Sequence, residues 1–469
     1  MAAPPARPPG SGGRGRPAGP RPYRRPRPDA ARLAAYDLLR AVEERDAYAN
    51  LVLPGLLRER GLVDRDAAFA TELAYGALRG RGLYDAVIAA CVDRPLDAVD
   101  PEVVDVLRLG AHQALAMRVP GHAAVSATVE LARAVLGDGR GSFVNAVLRR
   151  VAARDVAEWI AEVAPDRSAD PAGHLAVACS HPRWIVEAIR DSLGGSWEGT
   201  ERFLVADNVA PEVALVARPG RSSVEELLAA GARPGAWSPD AARWTGSPGD
   251  LPAIREGRAG VQDEGSQLVA LALAEAPLEG PDARWLDLCA GPGGKAALLD
   301  AVAAQRGGAV VAVERQQHRA ALVARALGGA GRVVVADGQC GPWRPGAFDR
   351  VLADVPCTGL GALRRRPEAR WRRRPADIAG LAPLQRGLLG AALDAARAGG
   401  LVAYVTCSPH LAETRVVVSD VLRGRADVEP VDARPLLPGV PDLGPGPHVQ
   451  LWPHVHGCDA MFLALLRRT

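Results

Sequence analysis

The stretch LDLCAGPGGK at residues 286–295 says most about the fold of this chain. A short apolar strand runs into a glycine-rich turn, and an alanine-rich helix follows the turn. Glycines in such a turn let the backbone approach a ligand closely, and the N–H groups at the start of the helix can point toward that ligand. The stretch therefore predicts a ligand site where a strand ends and a helix begins.

Strands and helices alternate from this stretch to the end of the chain. The predicted strands are Trp285–Leu288, Ala309–Val313, Arg332–Ala336, Arg350–Asp354, Leu401–Thr406 and Met461–Leu465. Such alternation is typical of a doubly wound α/β fold with parallel strands and right-handed crossovers. Ligands bind beyond the carboxyl ends of such strands, so we expect the functional residues in the turns that follow them.

This stretch can be interpreted as any of three kinds of ligand-binding loop. A phosphate-binding P-loop has glycine where this chain has Cys289, and serine or threonine where it has Ala296, so that interpretation fails. The G-x-G-x-x-A pattern at residues 291–296, with Glu314 ending the next strand, formally meets a nicotinamide-binding fingerprint. In the third interpretation the loop binds S-adenosylmethionine, with Glu314 on the ribose hydroxyls and Asp337 on the adenine.

Two cysteines follow the fourth and fifth predicted strands and help to decide between these interpretations. Asp354 and Cys357 lie in the turn DVPCTG, and Cys407 lies in the turn TCSP. Neighbouring parallel strands end at the same edge of a sheet, so both thiols should face one cleft. Either cysteine alone is best interpreted as a small buried apolar residue. Two cysteines at strand ends beside the same glycine loop favour nucleophilic catalysis instead.

The lysine of the glycine loop also stands out. Of the 57 basic residues in the chain, Lys295 is the only lysine. A position that keeps lysine where arginine serves everywhere else indicates a need for a compact, rotatable ammonium group. We therefore include Lys295 among the candidate catalytic residues.

Composition excludes several classes of protein. No apolar run approaches the roughly 18 residues that span a bilayer, and the N-terminus has no signal-peptide core. The seven cysteines form no CxxC pair, which argues against a zinc site or a disulfide framework. We expect a cytoplasmic, monomeric protein with neither metal nor membrane partner.

The chain divides into five segments by composition and pattern. Residues 1–29 are rich in arginine, proline and glycine and should be a disordered tail. Residues 30–154 have helical periodicity throughout, and residues 155–174 form a linker. Residues 175–280 predict a small α+β subdomain, and residues 281–469 the α/β domain.

Helical spacing of apolar residues predicts seven helices in the second segment. They are Ala31–Val42, Leu51–Arg60, Ala67–Arg79, Leu83–Val92, Pro101–Met117, His122–Leu136 and Ser142–Val151. Turn signals separate them, so the segment should be an all-α bundle.

A run of seven arginines directly follows the Cys357 turn. Its candidate contacts are Arg364, Arg365, Arg366, Arg370, Trp371, Arg372, Arg373 and Arg374. A charge run is usually a solvated face. This run, however, lies beside a predicted cleft and contains a tryptophan. We therefore favour a surface that binds RNA phosphates and stacks against bases.

These motifs resemble those of the RNA cytosine-5 methyltransferases, and within them the bacterial enzymes that modify small-subunit ribosomal RNA. The glycine loop, the Asp-x-Pro-Cys turn and the Thr-Cys-Ser turn agree in order and spacing. Upstream, the segment QDEGSQ at residues 262–267 also agrees, and SFVNAVLRR at residues 142–150 resembles the RNA-binding NusB family. Gly291 departs from the alanine frequent at that position. The resemblance covers residues 30–469.

The resemblance implies a NusB-like bundle, a small RNA-binding subdomain and a Rossmann-like methyltransferase domain that uses S-adenosylmethionine. The implied substrate is RNA, most closely 16S ribosomal RNA. The implied cofactor-binding residues are Cys289, Ala290, Gly291, Pro292, Gly293, Gly294, Lys295, Glu314, Asp337 and Asp354.

The resemblance also implies catalytic roles. Cys407 would attack carbon 6 of a cytosine, and Asp354 would hydrogen-bond its N3. Cys357 would assist loss of the carbon 5 proton and release of the enzyme, with Lys295 near the nucleophile. Related enzymes on DNA place the nucleophile in the Pro-Cys turn instead.

Other functions remain open at this point. The helical bundle would also suit an RNA-binding or transcription-associated protein whose methyltransferase domain is inactive. Methylation of another RNA, such as tRNA, is a further alternative. A nicotinamide-dependent oxidoreductase would leave both cysteine turns and the arginine run unexplained.

Overall fold

The computed structural model describes residues 1–3, 29–117, 119–329 and 331–469. Most of the predicted tail, residues 4–28, lies outside the described part. In that part no helix is both long enough and apolar enough to cross a membrane.

A helical bundle comes first, and its helices lie close to the predicted bounds. They are α1 (Ala30–Arg45), α2 (Ala49–Glu59), α3 (Asp64–Arg79), α4 (Arg81–Cys91), α5 (Pro101–Leu115), α6 (Gly121–Leu136) and α7 (Asp138–Val151). In α1 the buried Leu38, Leu39 and Val42 lie at the spacing of one helix face. Asp29 caps that helix by accepting hydrogen bonds from two backbone N–H groups of its first turn.

Four helices connect the bundle to the rest of the chain. They are α8 (Val156–Val163), α9 (Pro171–Ala178), α10 (Arg183–Ser192) and α11 (Trp197–Asp207). The segment at residues 155–174, predicted as a linker, therefore contains regular structure. Asp155 starts α8 with a capping box, in which its side chain accepts from Glu158 N at 2.8 Å.

A small antiparallel sheet follows, with strand order β2-β3-β1-β4. Its elements are β1 (Val213–Ala217), α12 (Val224–Ala229), β2 (Arg233–Pro234), β3 (Ala241–Trp244), α13 (Pro252–Arg255) and β4 (Ala259–Val261). After β4 the chain turns directly into the first helix of the larger domain.

The larger domain is built on a mixed sheet with helices on both faces. Its helices are α14 (Glu264–Glu275), α15 (Gly294–Gln305), α16 (Gln317–Leu327), α17 (Ala369–Arg372), α18 (Pro375–Ala395), α19 (Arg415–Leu422) and α20 (Pro453–His456). Its strands are β5 (Arg284–Asp287), β6 (Ala309–Val313), β7 (Val333–Val334), β8 (Phe348–Asp354), β9 (Ala396–Thr406), β10 (Val428–Val431), β11 (Val449–Gln450) and β12 (Phe462–Arg468).

The direction of the last strands corrects the sequence prediction of a parallel sheet. Strands β5 to β9 are parallel, in the order β9-β8-β5-β6-β7. Strand β12 instead pairs with β9 in the antiparallel direction, and β10 and β11 pair with β12 in the same way. Only the four-residue α20 lies between β11 and β12, too short a connection for a parallel crossover, so these two strands pair in the antiparallel direction. The parallel half still brings the ends of β5, β8 and β9 to one edge.

Candidate active site

The glycine loop connects β5 to α15 at the centre of the sheet. Gly293 has φ +113°, and a Cβ built there would lie 2.7 Å from the Cβ of Ala326, so only glycine fits. On the other side of the loop, Arg319 donates a hydrogen bond from Nη2 to the carbonyl oxygen of Gly291 at 2.7 Å. The loop is therefore held from both sides, and the N-terminus of α15 faces the strand ends.

Two acidic residues expected at the cofactor lie at the ends of the next strands. Glu314 follows β6 and is buried, and its Oε1 accepts a hydrogen bond from Gln316 N at 2.8 Å. A Cβ on Gly291 would lie 2.0 Å from Glu314 Oε2, so the missing methyl group leaves room for this carboxylate. Asp337 follows β7, and a hydrogen bond from Gln339 N lowers the pKa of its carboxyl group.

Two buried acceptors beside the loop have no hydrogen-bond partner among the described residues. They are Oδ2 of Asp287 and Oε1 of Gln262. Burial, followed by the nearby Asp354 carboxylate, raises the pKa of Asp287 to about 7. Gln262 lies against Gly294 at the start of α15. Buried acceptors are normally satisfied, so this pair points to a bound donor group.

The ammonium group of Lys295 meets the end of β8. Its Nζ donates to Oδ2 of Asp354 at 2.9 Å. Burial would lower the pKa of Lys295, but Asp354 and Cys407 together outweigh burial and raise it. The raised pKa favours the charged ammonium form of Lys295 beside the two cysteine turns.

The two cysteine turns converge, as the order of β8 and β9 requires. Sγ of Cys357 lies 3.4 Å from Sγ of Cys407, and both side chains are partly buried. The hydrogen bond with Cys357 and the charge of Lys295 lower the pKa of the Cys407 thiol. They outweigh burial and the Asp354 carboxylate, which raise it. The same hydrogen bond and burial raise the pKa of Cys357 well above its usual range. These pKa directions favour Cys407 as the more acidic thiol of the pair.

Cys289 in the glycine loop is chemically different from these two thiols. Burial, with the neighbouring Asp287 and Asp354 carboxylates, raises its pKa well above the usual range. Its backbone N–H donates to Oδ1 of Asp287 at 3.2 Å. It contributes backbone to the loop and is a poor nucleophile.

The arginine run is only partly a surface feature, and the prediction is wrong for Arg364 and Arg370. Arg364 is buried and donates to Asp459 at 2.6 Å and Asp263 at 2.9 Å. Arg370 is fully buried and pairs with Asp207 at 3.1 Å. Acidic residues from distant parts of the chain take up these guanidinium groups, so they are not accessible to RNA phosphates.

The rest of the run joins the domains or faces solvent. Arg365 pairs with the same two acids as Arg364. Arg372 donates to the carbonyl oxygens of Val42 and Ala47, both at 2.7 Å. Trp371 packs against Gly82 of α4, where a Cβ would lie 2.6 Å from the ring, so it offers no open stacking face on that side. Arg366 and Arg374 are exposed, and Arg373 is partly exposed.

Sequence reasoning missed three residues of this site: Gln262, Asp287 and Glu413. Gln262 and Asp287 both lie inside motifs that the sequence does reveal, so their position was the available signal. Glu413 lies six residues beyond Cys407 and is fully buried against the Cys357 turn. No sequence pattern marks it, because its partners come from other elements. In the described part of the chain, no cluster of residues could hold a metal ion.

Comparison with known families covers both large parts of the chain. The family model described as 16S rRNA methyltransferase RsmB/F matches residues 273–467. The model of the NusB family matches residues 29–153.

Curated proteins similar to the chain span nearly all of it. A Mycobacterium tuberculosis protein, named only as a candidate methyltransferase, is 56% identical over 95% of this chain and 98% of its own length. The ribosomal RNA small subunit methyltransferase B of Pseudomonas syringae is 33% identical over 86% of this chain and 88% of its own length. The enzyme of the same name from Escherichia coli is 32% identical over 85% of this chain and 90% of its own length.

Solved structures agree on the fold. The crystal structure of PH0851 has a TM-score of 0.75 at 22% identity, covering 94% of this chain and 99% of that one. The structure of NSun6 from Pyrococcus horikoshii with SFG has a TM-score of 0.52 at 17% identity, covering 61% and 98%. At these identities the likeness bears on the fold alone.

Proposed function

The chain belongs to the RsmB/F family of 16S rRNA methyltransferases, and from this premise we propose that it methylates carbon 5 of a cytosine in 16S ribosomal RNA. Its cofactor is S-adenosylmethionine, as in the rest of the family. The observation that carries the proposal is the 3.4 Å approach of Cys357 and Cys407 beside Lys295 and Asp354.

The residues at the glycine loop fit this cofactor. Its ammonium group needs buried acceptors, and the unpartnered oxygens of Asp287 and Gln262 could supply them. Its carboxylate suits the backbone N–H groups at the start of α15. Glu314 and Asp337, at the ends of the next two strands, could hold the ribose hydroxyls and the adenine.

The first chemical step would be attack by Cys407. Its thiolate, favoured by Lys295 and by the hydrogen bond from Cys357, adds to carbon 6 of the cytosine and forms an S–C bond. The electron pair of the C5–C6 double bond shifts toward carbon 5. The bound cofactor supplies an electrophilic methyl group, which carbon 5 takes up as the sulfonium S–CH₃ bond breaks.

Asp354 would steady the base during this attack. Lys295 already donates to its Oδ2, which leaves Oδ1 to accept a hydrogen bond from N3 once N3 has taken a proton from water. N3 gives this proton back to water when the enzyme is released. That bond would favour the protonated ring and so stabilise the adduct. Lys295 would keep the Asp354 carboxylate oriented toward the base.

Release would require loss of the proton on carbon 5. The C–H electron pair re-forms the C5–C6 double bond, and the S–C6 pair returns to Cys407. Cys357 could take this proton, because in the adduct Cys407 no longer carries a charge. The hydrogen bond to Cys407 and the charge on Cys407 are leading causes of the raised pKa of Cys357, so adduct formation lowers that pKa. The Cys357 thiol can then lose its own proton to water, and the resulting thiolate takes the proton from carbon 5.

Bisulfite sequencing of total RNA tests the function directly. We expect one cytosine of 16S rRNA to be protected in cells that carry the gene and unprotected in cells without it. The gene restored in its wild-type form should return the protection, whereas the Cys407→Ala form should not. Loss of protection in tRNA would redirect the proposal to another RNA. Unchanged protection everywhere would favour the inactive-domain alternative.

The accessible arginines of the run should contact RNA. Replacing Arg366, Arg373 and Arg374 together by alanine should weaken RNA binding and flatten its salt dependence by up to about 2–3 in logarithmic slope, at roughly 0.7–0.9 per contact. Filter binding across salt concentrations measures the slope, and cofactor affinity should stay the same.

The matched control for this experiment replaces three arginines that are exposed elsewhere. Arg167, Arg233 and Arg423 have side chains exposed by 53%, 60% and 72%. Their triple alanine variant loses the same charge. If both triple variants lower the slope equally, the run has no special role in RNA binding.

A further inference from the structure

The residue after each active-site cysteine is buried, although the cysteines themselves are only partly buried. Thr358 follows Cys357, and Ser408 follows Cys407. The two hydroxyl groups lie 3.3 Å apart, within hydrogen-bond distance. The two cysteine turns are thus joined twice, once through their thiols and once through the hydroxyls behind them.

A single buried carboxylate holds this second junction. Glu413 lies in the short turn between β9 and α19 and is fully buried. One of its oxygens accepts a hydrogen bond from Thr358 N at 2.8 Å, and the other accepts one from the Thr358 hydroxyl. Both hydrogen-bond donors of Thr358, its N–H and its hydroxyl, are therefore bound to Glu413.

The same carboxylate also reaches the residue before Cys357. Gln385 of α18 donates from Nε2 to Glu413 at 3.1 Å and to the carbonyl oxygen of Pro356 at 2.9 Å. Tyr404 of β9 donates to the backbone oxygen of Glu413 at 2.7 Å. The backbone on both sides of Cys357 is thereby connected through Glu413 to β9, the strand that Cys407 follows.

Stability alone is a poor explanation for this arrangement. Among the described residues, no lysine or arginine nitrogen comes within 4.0 Å of Glu413. A carboxylate buried without a countercharge is costly for a fold, and an apolar side chain would usually serve stability better. The geometry that it imposes on the Cys357 turn is the better explanation.

We propose that Glu413, acting through Thr358, is a positioning residue that sets the distance between the thiols of Cys357 and Cys407. This inference rests on the proposed function, in which Cys357 acts after methyl transfer. A displaced Cys357 turn would still allow attack by Cys407 but would delay removal of the carbon 5 proton. The covalent complex between enzyme and RNA should then accumulate.

Thr358→Val is the sharpest test, because valine matches threonine in shape and lacks only the hydroxyl group. It removes the bonds of that hydroxyl to Glu413 and Ser408 and leaves the backbone bond in place. With protein-free 16S rRNA from cells without the gene, turnover should fall about tenfold or more, as expected when a hydrogen bond to a charged group is lost. A reducing, denaturing gel should show a new nuclease-sensitive band of protein joined to RNA.

Thr358→Ser and Glu413→Gln are the companion variants. Serine keeps the hydroxyl and should rescue turnover without accumulation of the adduct. Glutamine has one accepting oxygen where glutamate uses two for the N–H and the hydroxyl of Thr358, so Glu413→Gln should accumulate the adduct. Thermal unfolding and calorimetric binding of S-adenosylmethionine accompany each variant, because a merely structural defect would weaken these without trapping RNA.

The Cys357→Ala variant, run on the same gel, distinguishes failure of this inference from failure of the proposed function. If Cys357→Ala accumulates the adduct but Thr358→Val does not, the positioning inference is wrong and the mechanism stands. If neither Cys357→Ala nor Thr358→Val gives a band, the role proposed for Cys357 fails first. Equal trapping by Thr358→Ser and Thr358→Val would also overturn the inference, because the hydroxyl would then not matter.

Discussion

Replacing Cys407 by alanine should abolish methylation, with a loss of about 10⁴- to 10⁶-fold, the range seen when an enzyme nucleophile is removed. No S–C6 bond can form, so no complex of protein and RNA should survive a reducing, denaturing gel. Binding of S-adenosylmethionine should persist, because the glycine loop is untouched. Transfer of labelled methyl groups to 16S rRNA measures the loss.

Replacing Cys357 by alanine should give the opposite picture on the gel. Cys407 keeps its neighbour Lys295 and can still attack, although it loses the hydrogen bond that lowers its pKa. The adduct should form and then stall, because nothing at the position of Cys357 takes the carbon 5 proton. A slower band that nuclease removes is the expected result.

Cys340→Ala is the control for this pair, because Cys340 is an exposed thiol outside the two turns. It should behave like the wild type in methyl transfer and on the gel. A trapped complex with Cys407→Ala and an inactive Cys357→Ala would reverse the proposed roles. The nucleophile would then lie in the Pro-Cys turn, as in the related enzymes on DNA.

Replacing Arg370 by methionine should destabilise the protein by about 3–5 kcal/mol, the usual result of removing one partner of a buried ion pair. The side chains of Arg370 and Asp207 are both 0% exposed. Methionine fills most of the space, so the effect comes mainly from the uncompensated charge of Asp207. Urea denaturation followed by tryptophan fluorescence should show an earlier transition.

The pH dependence of this effect identifies its cause. Asp207 is fully buried, which opposes its charge, but Arg370 and His181 outweigh burial and lower its pKa in the wild type. A lowered pKa contributes stability that is present above the unfolded value, about 3.9, and is lost as the pH falls through the folded value. Without Arg370 the pKa of Asp207 should rise, so acid should neutralise it. The stability gap between the two proteins should therefore narrow as the pH is lowered.

Arg374→Met is the matched control, because Arg374 belongs to the same run but is exposed. It should change stability by no more than about 0.5 kcal/mol. If both variants shift the urea transition equally, burial of Arg370 is not what stabilises this region. If the difference in unfolding free energy between wild type and Arg370→Met instead stays constant with pH, the uncompensated charge of Asp207 is excluded as the cause of the destabilisation.

Local patterns were sufficient for much of the fold. The helices of the bundle follow from apolar spacing, since one stripe of each helix must be buried. The glycine loop, the Asp354–Cys357 turn and the Cys407 turn could be predicted because each motif is continuous and follows a short apolar strand. Parallel pairing then brought their ends to one edge, as expected from the strand–helix alternation.

Which arginines of the run are buried in ion pairs could not be predicted in the same way. Its charges pair with Asp207, Asp263 and Asp459, which lie far from it along the chain. Burial of a charge depends on whether an opposite charge arrives in three dimensions, and the run itself carries no sign of this. The antiparallel pairing of β12 and the burial of Glu413 were also missed, because both depend on partners from other elements of the chain.

Sequence alone was thus sufficient to propose which residues carry the chemistry, because the glycine loop and the two cysteine turns are local motifs. Tertiary structure decided which arginines stay accessible and which residue holds the two cysteine turns together. Motifs are short-range, whereas the hydrogen bonds and ion pairs of Glu413, Arg364 and Arg370 join elements that only folding brings into contact.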